Sequence, residues 1–247
     1  MSELAIIGGT GLTRFKRLEI ERREVMHTPY GEASGALTFG VLCGKDVVFL
    51  ARHGYGHTIP PHMVNYRANL WALQQQGVER VVAVCAVGSI RSDLTPGSIV
   101  IPDQIIDYTW SRDQTFFEAD LSKVTHIDFT EPYSGAMREQ LLEAAGQTGI
   151  TVMSNGTYGA TQGPRLETAA EINRMERDGC HMVGMTGMPE AALARELGLD
   201  YAVIAVSANP AAGRGDGAIS MAMIEKNLGD GMEKVRTILE QLITTTC

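Results

Sequence analysis

Two polar side chains, a carboxylate and an amide, stand where this sequence could do chemistry on a hydrogen-bonding ligand. Asn209 follows the apolar run YAVIAVSA at 201–208 and precedes Pro210. So uniform a run suggests a strand buried on both faces. A side chain at the carboxyl end of such a strand lies where α/β sheets usually meet their ligands. Glu167 lies in TQGPRLET, 161–168; when ionised it only accepts hydrogen bonds, whereas the Asn209 amide can also donate. The spacing predicts that Glu167 opens a helix through residue 177. An acid there also suits the helix dipole, so a structural role stands beside the ligand-reading one.

Other groups suit an anion. Gly8-Gly9-Thr10-Gly11 follows the apolar LAII of 4–7. A glycine-rich turn after a strand lets backbone N–H groups approach a phosphate, although a plain tight turn accounts for it equally. Arg14 stands where a dinucleotide fingerprint needs its third glycine. Arg52-His53-Gly54 follows VVFLA at 47–51. A guanidinium at a strand end can grip a phosphate through two parallel bonds, or pair with a surface carboxylate. Residues 80–87 read as a central strand that ends in Gly88-Ser89, the third strand-then-glycine junction. His53, His57 and His62 do not read as a metal site, because Gly54, Gly56, Pro60 and Pro61 forbid the helix that would align them.

These groups need elements to position them. Pro189 fits a first helical turn, Glu190 suits its dipole, and Gly198 ends that helix. An amphipathic helix is expected over 63–76, with Val64, Leu70, Trp71 and Leu73 toward the core. Asn65 and Arg67 could face a ligand, although a solvated helix face accounts for them better. Further helices are expected over 134–148 and 221–243, and an extended strand from Ser98 to Pro102. Residues 108–130 show no period, and a long stretch of this kind is often functional or packs on a neighbour. No linker or repeat divides the chain, which reads as one domain, 1–247.

Composition narrows the partners. A net charge of −8 argues against nucleic acid. The longest apolar runs, such as VVAVCAV at 81–87, are too short to span a bilayer, and the N-terminus does not read as a signal peptide. Cys43, Cys85, Cys180 and Cys247 form no CxxC pair. A cytoplasmic protein with free thiols is expected.

Taken in order, GGTG at 8–11, RHG at 52–54, NYRANLWAL at 65–73, AVGS at 86–89, GPRLET at 163–168 and GMTGMPE at 184–190 resemble the trimeric nucleoside phosphorylases. The subgroup they are most similar to is the methylthioadenosine and methylthioinosine phosphorylases. The resemblance covers nearly the whole chain. It implies an α/β domain with a distorted mixed sheet flanked by helices, a homotrimer with sites near subunit contacts, and phosphate as co-substrate with no metal or organic cofactor. It puts Thr10, Arg52, His53, the backbone at Ala86, and Thr186 around the phosphate. Met185 would underlie the ribose, which ordinary core packing would also explain. Leu166, His57 and His126 would line the nucleoside site, with His126 reaching it from a neighbouring subunit.

The implied reaction passes through an oxocarbenium-like sugar, so a donor is needed at the departing purine. Asn209 can supply it; loss of one such donor typically costs about 10²–10³ in rate. Glu167 matches the N1–H of a 6-oxopurine and would face the bare N1 of adenine badly. In adenine-cleaving relatives, aspartates occupy the positions of Asn209 and Ala211, and a serine that of Glu167. Inosine and guanosine phosphorylases of the family place a histidine for the sugar 5′-hydroxyl at the position of Met221, whose thioether suits a 5′-methylthio group. Together these imply phosphorolysis of 5′-methylthioinosine. The alternatives are a methylthioadenosine phosphorylase and a general inosine/guanosine phosphorylase.

Overall fold

The computed structural model describes residues 3–9, 17–119, 123–217 and 219–245. The strands are β1 (Leu4–Gly8), β2 (Glu19–Glu24), β3 (His27–Thr28), β4 (Gly31–Glu32), β5 (Leu37–Leu42), β6 (Lys45–Ala51), β7 (Arg80–Ser89), β8 (Ile99–Val100), β9 (Gln104–Asp107), β10 (Val152–Met153), β11 (Thr157–Ala160), β12 (Met182–Gly184) and β13 (Asp200–Pro210). The helices are α1 (Tyr66–Gln75), α2 (Gly135–Thr148), α3 (Ala169–Arg177), α4 (Gly187–Glu196) and α5 (Met221–Thr245). This is the mixed α/β architecture expected from the sequence.

The main sheet runs β10-β8-β13-β7-β1-β6-β5-β2, and β12, β11 and β9 branch from β7. Its central strands are apolar throughout because helices cover both faces. On one face α1 and α4 bury Leu70, Leu73, Ala191 and Leu193 against Ile7, Val81 and Val203. On the other, α2 and α5 bury Leu141, Ile238 and Leu242 against Ile6, Val82 and Ile204. The smaller helix α3 packs Ile172 and Met175 on Val183 beside the branch.

The branch is the distortion that matters. β1 pairs with β7 from Leu4↔Arg80 to Ile7↔Ala83. β12 then joins the same side of β7, antiparallel, at Val183↔Gly88 and Met182↔Ser89. Between them, Val84 to Val87 have a ladder partner only in β13 among the described residues. A gap therefore opens in the middle of the sheet.

Several boundaries differ from expectation. The strand at 201–208 extends through Asn209 to Pro210, so Asn209 is a member of the ladder, paired with Gly88 across a bulge. The helix predicted at 63–76 starts at Tyr66, because Pro60 and Pro61 set off a separate 3-10 turn, Pro61–Met63. Val64, Leu70 and Leu73 are buried, whereas Trp71 is only half-buried. Ser98–Pro102 contributes only Ile99–Val100 to the sheet. Strands β2 and β5 had no foreseen counterpart. β5 joins β6 through Cys43-Gly44, both at positive φ, 53° and 77°, as the twist of a two-residue hairpin demands.

Candidate active site

The gap in the sheet is lined from three directions. Ala86 is exposed in the middle of an otherwise buried strand. Arg52, just past β6, sends Nη1 into the gap to donate to the Val84 carbonyl at 3.1 Å. Strand alternation turns the Ala86 N–H to the same side as that carbonyl. From the third side comes Thr186, which precedes α4. Its N–H donates to Tyr158 Oη at 3.3 Å, and its hydroxyl lies 3.3 Å from Cys85 Sγ. Thr186 makes no side-chain cap bond to the helix. A backbone N–H, a hydroxyl and a nearby cation thus converge on one opening, which is a chemistry suited to an oxyanion.

Arg52 is not placed as expected. It is 1% exposed, and its two parallel bonds go to Glu190, Nε to Oε2 and Nη2 to Oε1, both at 2.7 Å. The fork expected to grip a phosphate is therefore occupied by a carboxylate of the core. Tyr201 also donates to Glu190 Oε1 at 2.8 Å. Burial disfavours the Arg52 cation, but the Glu190 charge outweighs it and holds the guanidinium well above its usual pKa. Glu190, read from sequence only as a dipole acid, is the partner that keeps this charge in the core. The signal was available: it is the one acid on the apolar face of MPEAALA.

His53 lies beside Arg52, and its Nδ1 sits 2.8 Å from the Ile59 carbonyl. Only a protonated Nδ1 can make that bond, so Nε2 is the acceptor of the neutral ring. Burial and the Arg52 charge push its pKa down to about 4. The exposed His57 ring lies tilted against it, centroids 4.6 Å apart. Thr10 lies outside the described residues, and so does the side chain of Met221 at the start of α5.

On the far side of the gap, β12 carries Gly184 to Met185. The Met185 thioether lies where a Cβ at Gly163 would stand, which that glycine at φ +63° leaves open. The Thr161 hydroxyl donates to Glu167 Oε1 at 2.6 Å and lies 3.3 Å from the Gly184 carbonyl. Glu167 does not open a helix. Thr168 is the N-cap of α3, and Glu171 completes a reciprocal capping box with it. Arg165 pairs with Glu171, not with Glu167. Glu167 is left half-buried, outside the helix, with no cation partner among the described residues. It borders a cavity of about 390 Å³ that Thr161, Gly163 and Trp110 also line.

Asn209 is 6% exposed. Its Nδ2 donates to the Pro210 carbonyl at 2.7 Å, which fixes the amide's orientation and uses one of its two protons. The bulge that turns it comes at Ala208, whose carbonyl accepts from Asn227 of α5 at 2.7 Å. Gly231, one turn on, lies so close to β13 that an added Cβ would collide with Val206, the ladder partner of Ala86. Val183 and Asn209 stand on opposite sides of Gly88 in the ladder, two strand spacings or about 10 Å apart.

Two expected residues are not drawn in by this chain. Leu166 is 45% exposed. His126 is exposed, in a stretch without regular structure, and makes no hydrogen bond to another site residue within the described chain. No group of three or more His, Cys, Asp or Glu able to hold a metal ion occurs among the described residues, and no described helix is long and apolar enough to cross a membrane.

Known proteins share this arrangement of elements. A methylthioadenosine phosphorylase from Schistosoma mansoni, solved in complex with adenine, is 32% identical with a TM-score of 0.94, covering 99% of this chain and 91% of that one. A probable S-methyl-5′-thioinosine phosphorylase from Pseudomonas syringae pv. tomato is 53% identical over 246 residues, 100% of each chain. A 6-oxopurine nucleoside phosphorylase from Pyrococcus furiosus is 50% identical over 218 residues, 86% of this chain and 81% of that one. Residues 3–244 match the family model of the phosphorylase superfamily. The chain belongs to the phosphorylase superfamily.

Proposed function

We propose that this chain is a pentosyltransferase that cleaves 5′-methylthioinosine with inorganic phosphate, giving hypoxanthine and 5-methylthioribose 1-phosphate. A phosphate oxygen bonds to C1′ as the C1′–N9 bond breaks, and the bond's electron pair leaves with the purine. Phosphate occupies the opening beside Ala86, Thr186 and His53, its own P–O–H donating to His53 Nε2, with Arg52 beneath held to Glu190 and turning Nη1 toward the opening. Met185 underlies the sugar. The second N–H of Asn209 stabilises the departing base, a device of the kind that lowers barriers where charge develops. Phosphate is the only co-reactant this chemistry needs.

One observation carries the choice of base. Among the described residues the Glu167 carboxylate accepts from one hydroxyl and forms no ion pair, so its remaining lone pairs are available to an N–H donor. The N1–H of a 6-oxopurine is such a donor; N1 of adenine is another acceptor. The relatives named for thioinosine and 6-oxopurine cleavage agree with this polarity. In this reading three copies of the single domain assemble in the cytoplasm, and His126 completes a neighbour's site.

Initial rates on methylthioinosine, methylthioadenosine and inosine, each with and without phosphate, test the proposal. Methylthioinosine is expected to be cleaved fastest, and only with phosphate. Faster cleavage of methylthioadenosine refutes the role of Glu167; cleavage without phosphate refutes phosphorolysis.

A further inference from the structure

Arg112 is a buried cation to which the reaction above gives no role. It lies in the irregular stretch after β9, is 9% exposed, and has no carboxylate partner among the described residues. Its guanidinium instead serves oxygen atoms from separate pieces of chain. Nη2 donates to the carbonyls of Thr161 at 3.1 Å and Gln162 at 2.8 Å, and Nε donates to Gln162 Oε1 at 3.1 Å. Nη1 donates to the carbonyls of Met185 at 2.9 Å and Met188 at 2.5 Å, and reaches the Tyr66 hydroxyl of α1 at 3.4 Å.

The two loops so joined carry the two halves of the site. Thr161 orients Glu167. Met185 and Met188 flank Thr186, at the rim of the opening in the sheet. Carbonyls of both segments converge on the guanidinium of Arg112. We propose that Arg112 is a positioning residue that sets the distance between the base-reading carboxylate and the Met185–Thr186 turn. The inference rests on the phosphorolysis reading for its consequence, not for its geometry. A planar fork with five donors can span both loops, whereas a lysine ammonium is a compact point charge with three.

The test uses Arg112→Lys and Arg112→Ala in the full chain, below the melting temperature of each variant. In Arg112→Lys, kcat is expected to fall by about 10²-fold, the penalty of misplacing reacting groups by about 1 Å. The preference for methylthioinosine over methylthioadenosine should shrink with it. Amide exchange should quicken together in 161–167 and 185–188, and added guanidinium ion should restore part of the activity of Arg112→Ala. A variant that melts earlier but keeps wild-type kcat and preference overturns the proposal, as does faster exchange in only one of the two segments. If the wild-type chain does not cleave methylthioinosine with phosphate, the functional reading fails, while the exchange measurement still decides whether Arg112 joins the loops.

Discussion

Replacing Glu167 by glutamine should invert the polarity that this site shows to a base. The Thr161 hydroxyl, 2.6 Å from Oε1, donates to whatever oxygen stands there. In the variant it holds the amide oxygen, which turns the amide nitrogen toward the purine as a donor. A 6-oxopurine then loses a hydrogen bond to a charged acceptor and meets a donor with its own N1–H. Bonds to charged groups contribute about 1.5–3 kcal/mol, and the half-buried position favours the lower end, so kcat/KM for methylthioinosine should fall by at least about tenfold. N1 of adenine gains a neutral hydrogen bond of about 0.5–1.5 kcal/mol, so methylthioadenosine should gain about twofold or more. The ratio of the two specificity constants therefore shifts by at least about 20-fold. Competition between the two nucleosides in one reaction measures that ratio directly. The melting temperature should not move, because among the described residues Glu167 makes one side-chain hydrogen bond and no ion pair. Adding Thr161→Val removes the group that orients the amide, and part of the shift should be lost. A ratio within threefold of wild type would refute the contact between Glu167 and N1.

Two further outcomes follow from the core around the site. Glu190→Ala strands the Arg52 guanidinium in the interior, which costs about 3–5 kcal/mol; urea unfolding should register it, and Arg52→Met combined with Glu190→Leu should cost less than the single change. His53 is neutral in the fold with its pKa lowered to about 4, so the unfolded chain takes up its proton first as pH falls. The stability it contributes is present above about pH 6.5 and declines toward pH 4 by about 3 kcal/mol; His53→Asn should flatten that decline in denaturant titrations, and an unchanged slope would assign it to other groups.

The central strands and the five helices were legible in the sequence because each has one dominant signal. YAVIAVSA is apolar on both faces, and GMPEAALARELG carries its own start and stop residues. The edge strand β2, EIERRE, has no such signal, since its residues are almost wholly exposed. Glu167 was read as opening a helix, and it does not. Thr168 and Glu171 form the better cap, and a capping box outweighs a lone acid placed one residue earlier. Arg52 was found by its position after a strand, yet its bonds were misread, because Glu190 lies 138 positions away and no local pattern links them. Arg112 was invisible for a related reason. Its partners are backbone oxygens, and main-chain carbonyls leave no mark in the identity of the residues that carry them.

The bulge at Ala208 depends on Asn227, and the close approach of α5 to β13 depends on Gly231. Both lie on α5, which also buries Ile238 and Leu242 against the sheet. The helix that seals one face of the core therefore also shapes the strand end that carries Asn209. A substitution on α5 that touches no ligand, such as Gly231→Ala, would thus be read out at the purine end of the site.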